Sequence, residues 1–286
     1  MTAHLTAETR TLIVNCDDFG MYRAVNEAVV RSIEDGIAAS CSLMTPCPGA
    51  AHAAGLLCER PEIPFGVHLT LVCESPVLRW GPLTPREKVL SLLDDNGRFH
   101  PPERIPDLLA AGIEELEFRA QIDAVATAGP TPAHLDWHCL ADGGRDDVLD
   151  LTMALAGEYG LAVPAWLDPA RRKPRARGLP VVQPGFLDSF ALDPEGKAET
   201  YARLLRELPP GLSEWAVHPG LGGQEVRAVD PGGWRVRESD HAFLASARAR
   251  ELLREEGVAV IGYDSVRAAW TGSSTSRLDA APKRHG

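Results

Sequence analysis

The chain has 286 residues, of which 44% are hydrophobic, and its formal net charge is −11. The excess of acidic residues argues against a surface that binds nucleic acid or an anionic membrane, because such surfaces need clustered Lys and Arg. No apolar run approaches the roughly 18 residues of a membrane span, and the polar N-terminal sequence MTAHLTAETR has no apolar signal core, so we expect a cytoplasmic protein.

Strands and helices alternate through the first third of the predicted structure. An apolar run at 12–14 predicts a strand, and apolar residues then recur at helical spacing from Ala24 to Ile33, after which Asp35-Gly36 ends the pattern. A strand at 38–44, a helix at 50–59 and a strand at 65–72 follow in the same order. Alternating β and α units predict a parallel sheet or barrel.

Two long connections interrupt the later part of the chain. Residues 74–112 are rich in Pro and Gly and predict a loop insertion with one short helix at 85–93, and residues 168–185 predict a second, proline-containing loop. The basic run 171–177 in that second loop is typical of a solvated segment, so we give it no role in catalysis. The remaining elements are predicted helices at 113–128, 147–158, 195–207 and 241–256 and predicted strands at 132–137, 163–166, 214–217 and 258–262.

A single domain is predicted at residues 11–270, because no linker separates two cores and no repeat of fixed period occurs. About seven β/α units fit a distorted or incomplete TIM-type (β/α) barrel, which is an α/β fold. An open doubly wound sheet is the alternative, although no GxGxxG motif follows any predicted strand. The glycine-rich residues 219–234 predict a loop, and the small, polar residues 271–286 predict a disordered tail.

The cysteine content does not indicate a disulfide framework. Six cysteines occur without a CxxC pair, which predicts reduced and mostly buried thiols. Cys16 and Cys139 lie beside the motifs described next, so a thiol nucleophile is an alternative, but neither has an assigned activating base.

Four of the predicted strand ends carry carboxylate or imidazole groups. These residues are Asp17 and Asp18 after the first strand, His68 in the third, His134, Asp136 and His138 after the long helix, and His218 in the penultimate strand. Because the carboxyl ends of parallel strands open onto one face, we expect the side chains to converge.

One Asp and two His from separate strands form a ligand set suited to Zn²⁺ or another divalent ion, with positions left for water and substrate. Such an ion lowers the pKa of its bound water from about 15.7 toward 7 and stabilises the oxyanion that forms when water attacks a carbonyl. The second Asp would then act as general base, and a separate His would protonate the leaving amine.

Each of these residues also has a structural interpretation. Asp17 and Asp18 fit a helix N-cap and a first-turn acid, and they can face one site together only if the strand has ended at the Phe-Gly turn that follows. His68 is as readily a hydrogen-bonded histidine of the sheet as a ligand. His134 lies at a strand start, where a structural role or the support of a metal ligand fits better than direct metal binding. His218 would also fit a turn before Pro-Gly.

The ordered motifs resemble a known family. They are NCDDFG at 15–20, GVHLTL at 66–71, HLDWH at 134–138 and EWAVHPG at 214–220, with further matches in DDNGRF at 94–99, in Gln121-Ile122, in Arg237-Glu238 and in IGYDS at 261–265. This pattern is similar to that of the YdjC-like, or ChbG/HpnK, carbohydrate deacetylases over about residues 11–266. The resemblance implies a distorted β/α barrel and metal-dependent removal of an N-acetyl group from an amino sugar.

The resemblance also implies residue roles. Asp18, His68 and His138 would hold one divalent ion, Asp17 would be the base and His218 the acid. Residues that would contact substrate or support the ligands are Asp136, His134, Trp137, Glu214 and Arg237. The family's metal is often taken to be Mg²⁺, whereas two imidazoles lead us to expect that Zn²⁺, Co²⁺, Ni²⁺ or Mn²⁺ would bind at least as well. The partner would be a small acetylated carbohydrate, and a homodimer is left open.

Two positions depart from the family pattern. Members commonly read HxDxHxHxH, whereas Leu140 stands here in place of a further imidazole and Trp137 replaces a small residue. Trp137 could stack on a sugar face or close the pocket against chitin-type disaccharides. Two alternatives follow: a hydrolase of another amide, ester or phosphoester, and a metal-bearing protein that binds sugar without turnover. Retention of Asp17 and His218 argues against the second, because binding alone needs neither a base nor an acid.

Overall fold

The structure is a computed structural model that describes residues 9–104, 113–139, 146–164, 168–182 and 185–278. Its strands are β1 (Arg10–Phe19), β2 (Ser40–Leu43), β3 (Phe65–Leu69), β4 (His134–Trp137), β5 (Leu187–Asp188), β6 (Gly211–Val217) and β7 (Ala259–Val260). Its α-helices are α1 (Arg23–Glu34), α2 (Ala50–Glu59), α3 (Ile113–Ala128), α4 (Asp146–Tyr159), α5 (Asp168–Ala176), α6 (Lys197–Arg206), α7 (Gln224–Val229), α8 (Trp234–Leu244), α9 (Ala247–Glu255) and α10 (Tyr263–Leu278). Among these helices, none is long and apolar enough to cross a membrane within the described residues.

A parallel sheet forms the centre of the fold. Its strands run in the order β4-β3-β2-β1-β6-β5, and β7 pairs with β1. β1 pairs in parallel with β6 along residues 10–16, with β2 from Asn15 to Phe19, and with β7 at Thr11 and Leu12. The described strands and helices form a half-barrel, so the predicted α/β class is confirmed, and closure as a TIM-type barrel stays a prediction.

The central position of β1 follows from its apolar sequence. Leu12, Ile13, Val14 and Cys16 are all fully buried, so both faces of this strand are covered. A parallel strand packed on both faces reads as a continuous apolar run instead of an alternating one, as this segment does. The apolar run therefore leads directly to a strand end where the polar residues begin.

The insertion after β3 differs from the prediction in its helix. Two 3-10 turns, at Arg86–Lys88 and Leu90–Leu92, stand where one helix was predicted at 85–93. The carboxylate of Glu117 in α3 accepts hydrogen bonds from the backbone N–H groups of Leu83 and Thr84, both at 3.0 Å. These bonds attach the described part of the insertion to α3.

The second predicted loop, at 168–185, is in part a helix. α5 spans its first half, so the basic run 171–177 is mainly helical instead of a loop. Arg171 is buried, whereas the other basic residues of the run are exposed, as predicted for a solvated segment. Lys173 forms an ion pair with Asp150 of α4. Pro174 lies inside α5, and proline removes a helical hydrogen bond, which is why the composition predicted a loop. Residues 183–184 lie outside the described part of the chain.

Further differences concern the C-terminal half. The helix predicted at 241–256 is divided between α8 and α9, because the hydroxyl of Ser246 accepts a hydrogen bond from the Ala249 N–H at 3.0 Å and begins α9.

The short helix α7 lies within the predicted loop 219–234, and α10 continues past residue 271, where the tail was expected to begin. The described part of the strand predicted at 163–166 has no ladder of its own, and the nearest pairing is one bridge from Ala162 to β4. Residues 165–167 and 279–286 lie outside the described residues.

Gly66 of β3 marks a close contact beneath the candidate site. A Cβ atom at this position would lie 2.5 Å from ring atoms of His134, whose ring stacks on Tyr263 at a centroid distance of 3.7 Å. We therefore expect Gly66→Ala to lower the free energy of unfolding by about 1–3 kcal/mol, because the imidazole must move within a packed core. Urea unfolding of both proteins measures this difference.

The exposed helical Gly55 provides the matched control. A Cβ there meets no heavy atom within 4 Å, so Gly55→Ala should raise the free energy of unfolding by about 0.5–1 kcal/mol through helix propensity. Equal effects of the two substitutions would contradict the packing that we describe around Gly66.

Candidate active site

Side chains from four strand ends meet in one cleft of about 370 Å³ at the carboxyl end of the sheet. The predicted site residues that line it are Asp17, Asp18, His68, Asp136, Trp137, His138, Glu214, His218 and Arg237. The remaining one, His134, is buried with its Nε2 3.5 Å from the carboxylate of Asp136. Parallel topology therefore brings these residues together, as expected from the strand ends.

The backbone at Asp18 explains how two adjacent aspartates face one site. β1 continues through Phe19 instead of ending before it, which corrects the expectation that a strand end is required. Asp18 has a φ of 64°, in the left-handed region, and the register between β1 and β2 shifts between Cys16 and Phe19. Such an irregularity re-aims a side chain within a strand, so Asp17 and Asp18 both reach the cleft.

Asp18, His68 and His138 form a candidate metal centre. Each offers one ligand atom, and these atoms lie within 4.8 Å of one another. Asp18 Oδ1 is 3.1 Å from Nδ1 of His138 and 3.6 Å from Nε2 of His68. That oxygen is buried, and none of the described residues donates a hydrogen bond to it. A buried, unpaired acceptor that faces two imidazole nitrogens fits a divalent cation.

Each imidazole of this centre is held at its other nitrogen by a carboxylate. Nδ1 of His68 lies 2.8 Å from Oδ1 of Asp136, and Nε2 of His138 lies 2.8 Å from Oε2 of Glu74. Partners of this kind orient a metal-binding imidazole and increase its basicity. Two other groupings in the cleft meet the same distance criterion: Glu74, His138 and Cys139, and Asp17, His68 and Asp136.

Asp136 and Arg237 contribute to the charge balance of the centre. Burial opposes ionisation of Asp136, but His68 and His134 together outweigh it and hold the Asp136 pKa below its ordinary value. The Nη2 of Arg237 donates to Oδ2 of Asp18 at 2.8 Å and its Nε donates to Asp230 at 2.6 Å. Burial likewise opposes ionisation of Asp18, but Arg237 together with His138 and His68 overcomes it, so the Asp18 pKa lies well below its usual range. Asp18 is therefore a carboxylate.

Asp17 and His218 face each other beside the metal centre. Oδ1 of Asp17 accepts a hydrogen bond from the side chain of Asn15 at 2.7 Å, and its Oδ2 lies 3.9 Å from Nε2 of His218. Burial raises the pKa of Asp17 well above its ordinary value and lowers the pKa of His218. The cleft thus contains a carboxyl group and an imidazole outside the Asp18 cluster.

Comparison with known proteins identifies the family. The sequence profile of the family described as YdjC-like protein matches residues 11–255. The chain belongs to the YdjC-like family. This match confirms the resemblance that the motifs indicated.

Two curated relatives and one solved structure match most of the chain. A carbohydrate deacetylase from Brevibacillus brevis is 27% identical over 89% of this chain and 99% of its own length. A carbohydrate deacetylase from Thermoanaerobacter pseudethanolicus is 29% identical over 90% of this chain and 99% of its own. The crystal structure of a proposed cellobiose-phosphate cleavage protein from Enterococcus faecalis superposes with a TM-score of 0.77 at 23% identity, covering 90% of this chain and 99% of that one. That structure supports the shared fold.

Trp137, which departs from the YdjC-like pattern in the HLDWH motif, is a buried ring. Trp137 is 6% exposed, and its indole N–H donates to Oγ1 of Thr152 at 3.0 Å. It lines the cleft but is not an open aromatic wall. The exposed aromatic side chain of the cleft is Phe190, which is 43% exposed and packs edge-on against His218 at a centroid distance of 4.6 Å. Leu140, the other departure, lies outside the described residues.

Seven residues that line the cleft of this YdjC-like chain were not among the predicted site residues, and three of them bear on its chemistry: Glu74, Phe190 and Cys139, the last considered only as an alternative thiol nucleophile. Glu74 lies in the insertion, Phe190 follows a short strand, and Cys139 has a φ of 55° with its Sγ 3.5 Å from Nε2 of His138. The only sequence signal among them was the position of Cys139 directly after the HLDWH motif. The other two lie in segments without periodicity, where strand ends give no guide.

Glu214 lies at the base of the cleft. Its Oε1 accepts a hydrogen bond from the hydroxyl of Tyr263, while its buried Oε2 has no hydrogen-bond partner among the described residues. Burial raises the pKa of Glu214 well above its ordinary value. Of the five residues predicted to contact substrate or support ligands, three have a buried polar atom without a hydrogen-bond partner among the described residues: Glu214 at Oε2, Arg237 at Nη1 and His134 at Nδ1.

Proposed function

We propose that this chain is a metal-dependent carbohydrate N-deacetylase that hydrolyses the acetamido group of a small amino sugar. One observation carries the proposal: Asp17 and His218 flank the Asp18, His68 and His138 cluster in one cleft, and the cluster does not need either of them as a ligand. The names of the curated relatives from Brevibacillus brevis and Thermoanaerobacter pseudethanolicus support the same activity.

The proposed roles follow the position of each side chain. Asp18, His68 and His138 would hold one divalent ion, which supplies an activated water and polarises the acetyl carbonyl. Asp17 accepts a proton from the attacking water, because its carboxylate faces the cleft without contacting Arg237. His218 donates a proton from Nε2 to the departing amine, and burial, by lowering its pKa, makes its protonated form a stronger acid.

The cleft suits a small substrate. Its volume of about 370 Å³ lies toward the lower end of the range of small-molecule pockets. Carboxylates line much of the wall, and they accept hydrogen bonds from sugar hydroxyl groups. The proposed substrate is therefore a short acetylated carbohydrate or the headgroup of an acetylated glycolipid.

Acetate release tests this function directly. Metal-stripped protein would be supplied with Mg²⁺, Zn²⁺, Co²⁺, Mn²⁺ or Ni²⁺ singly and assayed on N-acetylglucosamine, chitooligosaccharides and acetylated glycolipid headgroups. Metal-dependent release from one of them would establish the activity and its substrate. Stoichiometric ion binding without acetate release from any substrate would favour hydrolysis of another bond, or sugar binding without turnover.

Phe190 is expected to contribute to substrate binding. Its exposed ring lies at the cleft next to His218, where an apolar sugar face can pack on it. Phe190→Ala should raise KM by roughly two- to tenfold, which corresponds to the loss of about 0.5–1.5 kcal/mol of aromatic contact. Steady-state kinetics on the substrate identified above measures this change, and Phe190→Tyr, which keeps the ring, is the control. A fall in kcat with unchanged KM would instead assign Phe190 to the support of His218.

A further inference from the structure

A buried chain of hydrogen bonds leads from His218 away from the cleft. Nδ1 of His218 lies 2.9 Å from the hydroxyl of Ser189, which in turn donates to Oδ2 of Asp240 at 2.6 Å. Ser189 belongs to a 3-10 helix, Ser189–Ala191, that follows β5, and Asp240 lies on α8. Both side chains are fully buried, so neither is exposed to solvent that could replace these bonds.

Asp240 is surrounded by donors. Nζ of the buried Lys197 lies 2.6 Å from its Oδ1, and the hydroxyl of Tyr201 donates to the same oxygen at 2.8 Å. The backbone N–H of His218 donates to Oδ2 at 2.9 Å. An ammonium group and two hydrogen-bond donors other than Ser189 around one buried carboxyl group favour its charged, acceptor-only form.

Counting the hydrogens then determines the direction of each bond. A carboxylate at Asp240 can only accept, so the single hydroxyl hydrogen of Ser189 points to it. The oxygen of Ser189 is left to accept from Nδ1 of His218, and Nδ1 must carry a hydrogen whether the imidazole is neutral or charged. The hydrogen that is exchanged therefore belongs to Nε2, the atom that lies 3.9 Å from Asp17.

We propose that Ser189 and Asp240 are positioning residues that hold His218 in the tautomer with hydrogen on Nδ1 and direct its acid function to Nε2. The acid function rests on the proposed deacetylase activity, whereas the tautomer is a property of the chain itself. Two other carboxylates face this imidazole. Asp17 lies on the Nε2 side, and the exposed Asp188 is 3.9 Å from Nδ1 with its Oδ1 accepting from the Phe190 N–H, so it does not replace Ser189.

The test is a direct reading of the tautomer. Long-range ¹H–¹⁵N correlation spectra of the ¹⁵N-histidine-labelled protein, loaded with diamagnetic Zn²⁺ or Mg²⁺ at a pH where His218 is neutral, distinguish the two ring nitrogens. The signals of His218 are identified by their loss in His218→Gln. We expect a protonated Nδ1 in the native protein, loss of this preference in Ser189→Ala, and its retention in Ser189→Thr.

Tyr201→Phe is the matched control, because it removes a hydrogen bond to the other oxygen of Asp240 and no contact with His218. It should leave the tautomer unchanged. A native His218 with hydrogen on Nε2, or an unchanged tautomer in Ser189→Ala, would overturn the proposal.

A kinetic measurement separates this inference from the proposed function. On a substrate from which the native protein releases acetate, Ser189→Ala should lower kcat by roughly 10–100-fold with a smaller change in KM, since the imidazole is no longer oriented. If the native protein releases no acetate, the proposed function fails, and the spectra still decide the tautomer. An unchanged kcat in an active Ser189→Ala protein would count against the positioning role.

Discussion

Asp17→Asn is expected to lower kcat for deacetylation by roughly 10²–10⁴-fold, the usual contribution of a general base. The amide cannot accept the proton of the attacking water, but it has nearly the same shape, and its carbonyl oxygen can still accept the hydrogen bond from Asn15. Initial rates of acetate release at saturating metal measure the effect. Metal binding and the free energy of unfolding should change little, because Asp17 is not in the Asp18 cluster.

Asp188→Asn is the matched control for this substitution. Asp188 also lines the cleft and lies 3.9 Å from the same imidazole, but on its Nδ1 side, and it is exposed. The kcat of the Asp188→Asn protein should stay close to that of the native protein. A loss in Asp188→Asn as large as that in Asp17→Asn would point to general electrostatics of the cleft instead of a specific base. Full activity in Asp17→Asn would remove Asp17 from the mechanism.

His138→Ala is expected to abolish stoichiometric binding of the divalent ion and, with it, acetate release. Loss of an outer partner of a metal ligand costs about 10–100-fold in affinity, and removal of the ligand itself should cost more. An ion that binds only the folded protein stabilises it by about 2.7 kcal/mol at a concentration of 100 times Kd. The native protein should show this stabilisation in urea unfolding with Zn²⁺, and His138→Ala should show much less at the same concentration.

His241→Ala controls for the loss of an imidazole as such, because His241 lies on α8 and contacts Ser32 instead of the cleft. It should bind Zn²⁺ as the native protein does. The comparison also separates two roles: Asp17→Asn keeps the ion and loses turnover, whereas His138→Ala loses both. If His138→Ala retained the full stabilisation by Zn²⁺, the ion would have to bind to a different set of residues.

The sequence alone was sufficient to predict which polar residues lie at the ends of the strands. Apolar runs and helical spacing predicted a parallel sheet, and α2 and α3 have the predicted bounds at 50–59 and 113–128. Once the strands are parallel, their carboxyl ends must lie at one edge, so an Asp and two His from separate strands could be expected to meet without any knowledge of loops. The choice of Asp18, His68 and His138 as that set came from the resemblance to the family. The ordered motifs also indicated the YdjC-like family, which the family profile over residues 11–255 confirms.

Only the tertiary structure revealed the contacts that join distant segments. Ser189 lies 29 positions from His218 and 51 from Asp240, in a short 3-10 turn that has no periodic pattern. Glu74 lies 64 positions from His138 in the sequence, yet its Oε2 is 2.8 Å from Nε2 of that imidazole. The left-handed conformation at Asp18 was likewise not predictable, because the residue type does not determine φ and the register shift between β1 and β2 at this point is visible only in the structure. Local sequence patterns record which face a residue presents within its own element, whereas these contacts depend on how loops from separate elements pack together.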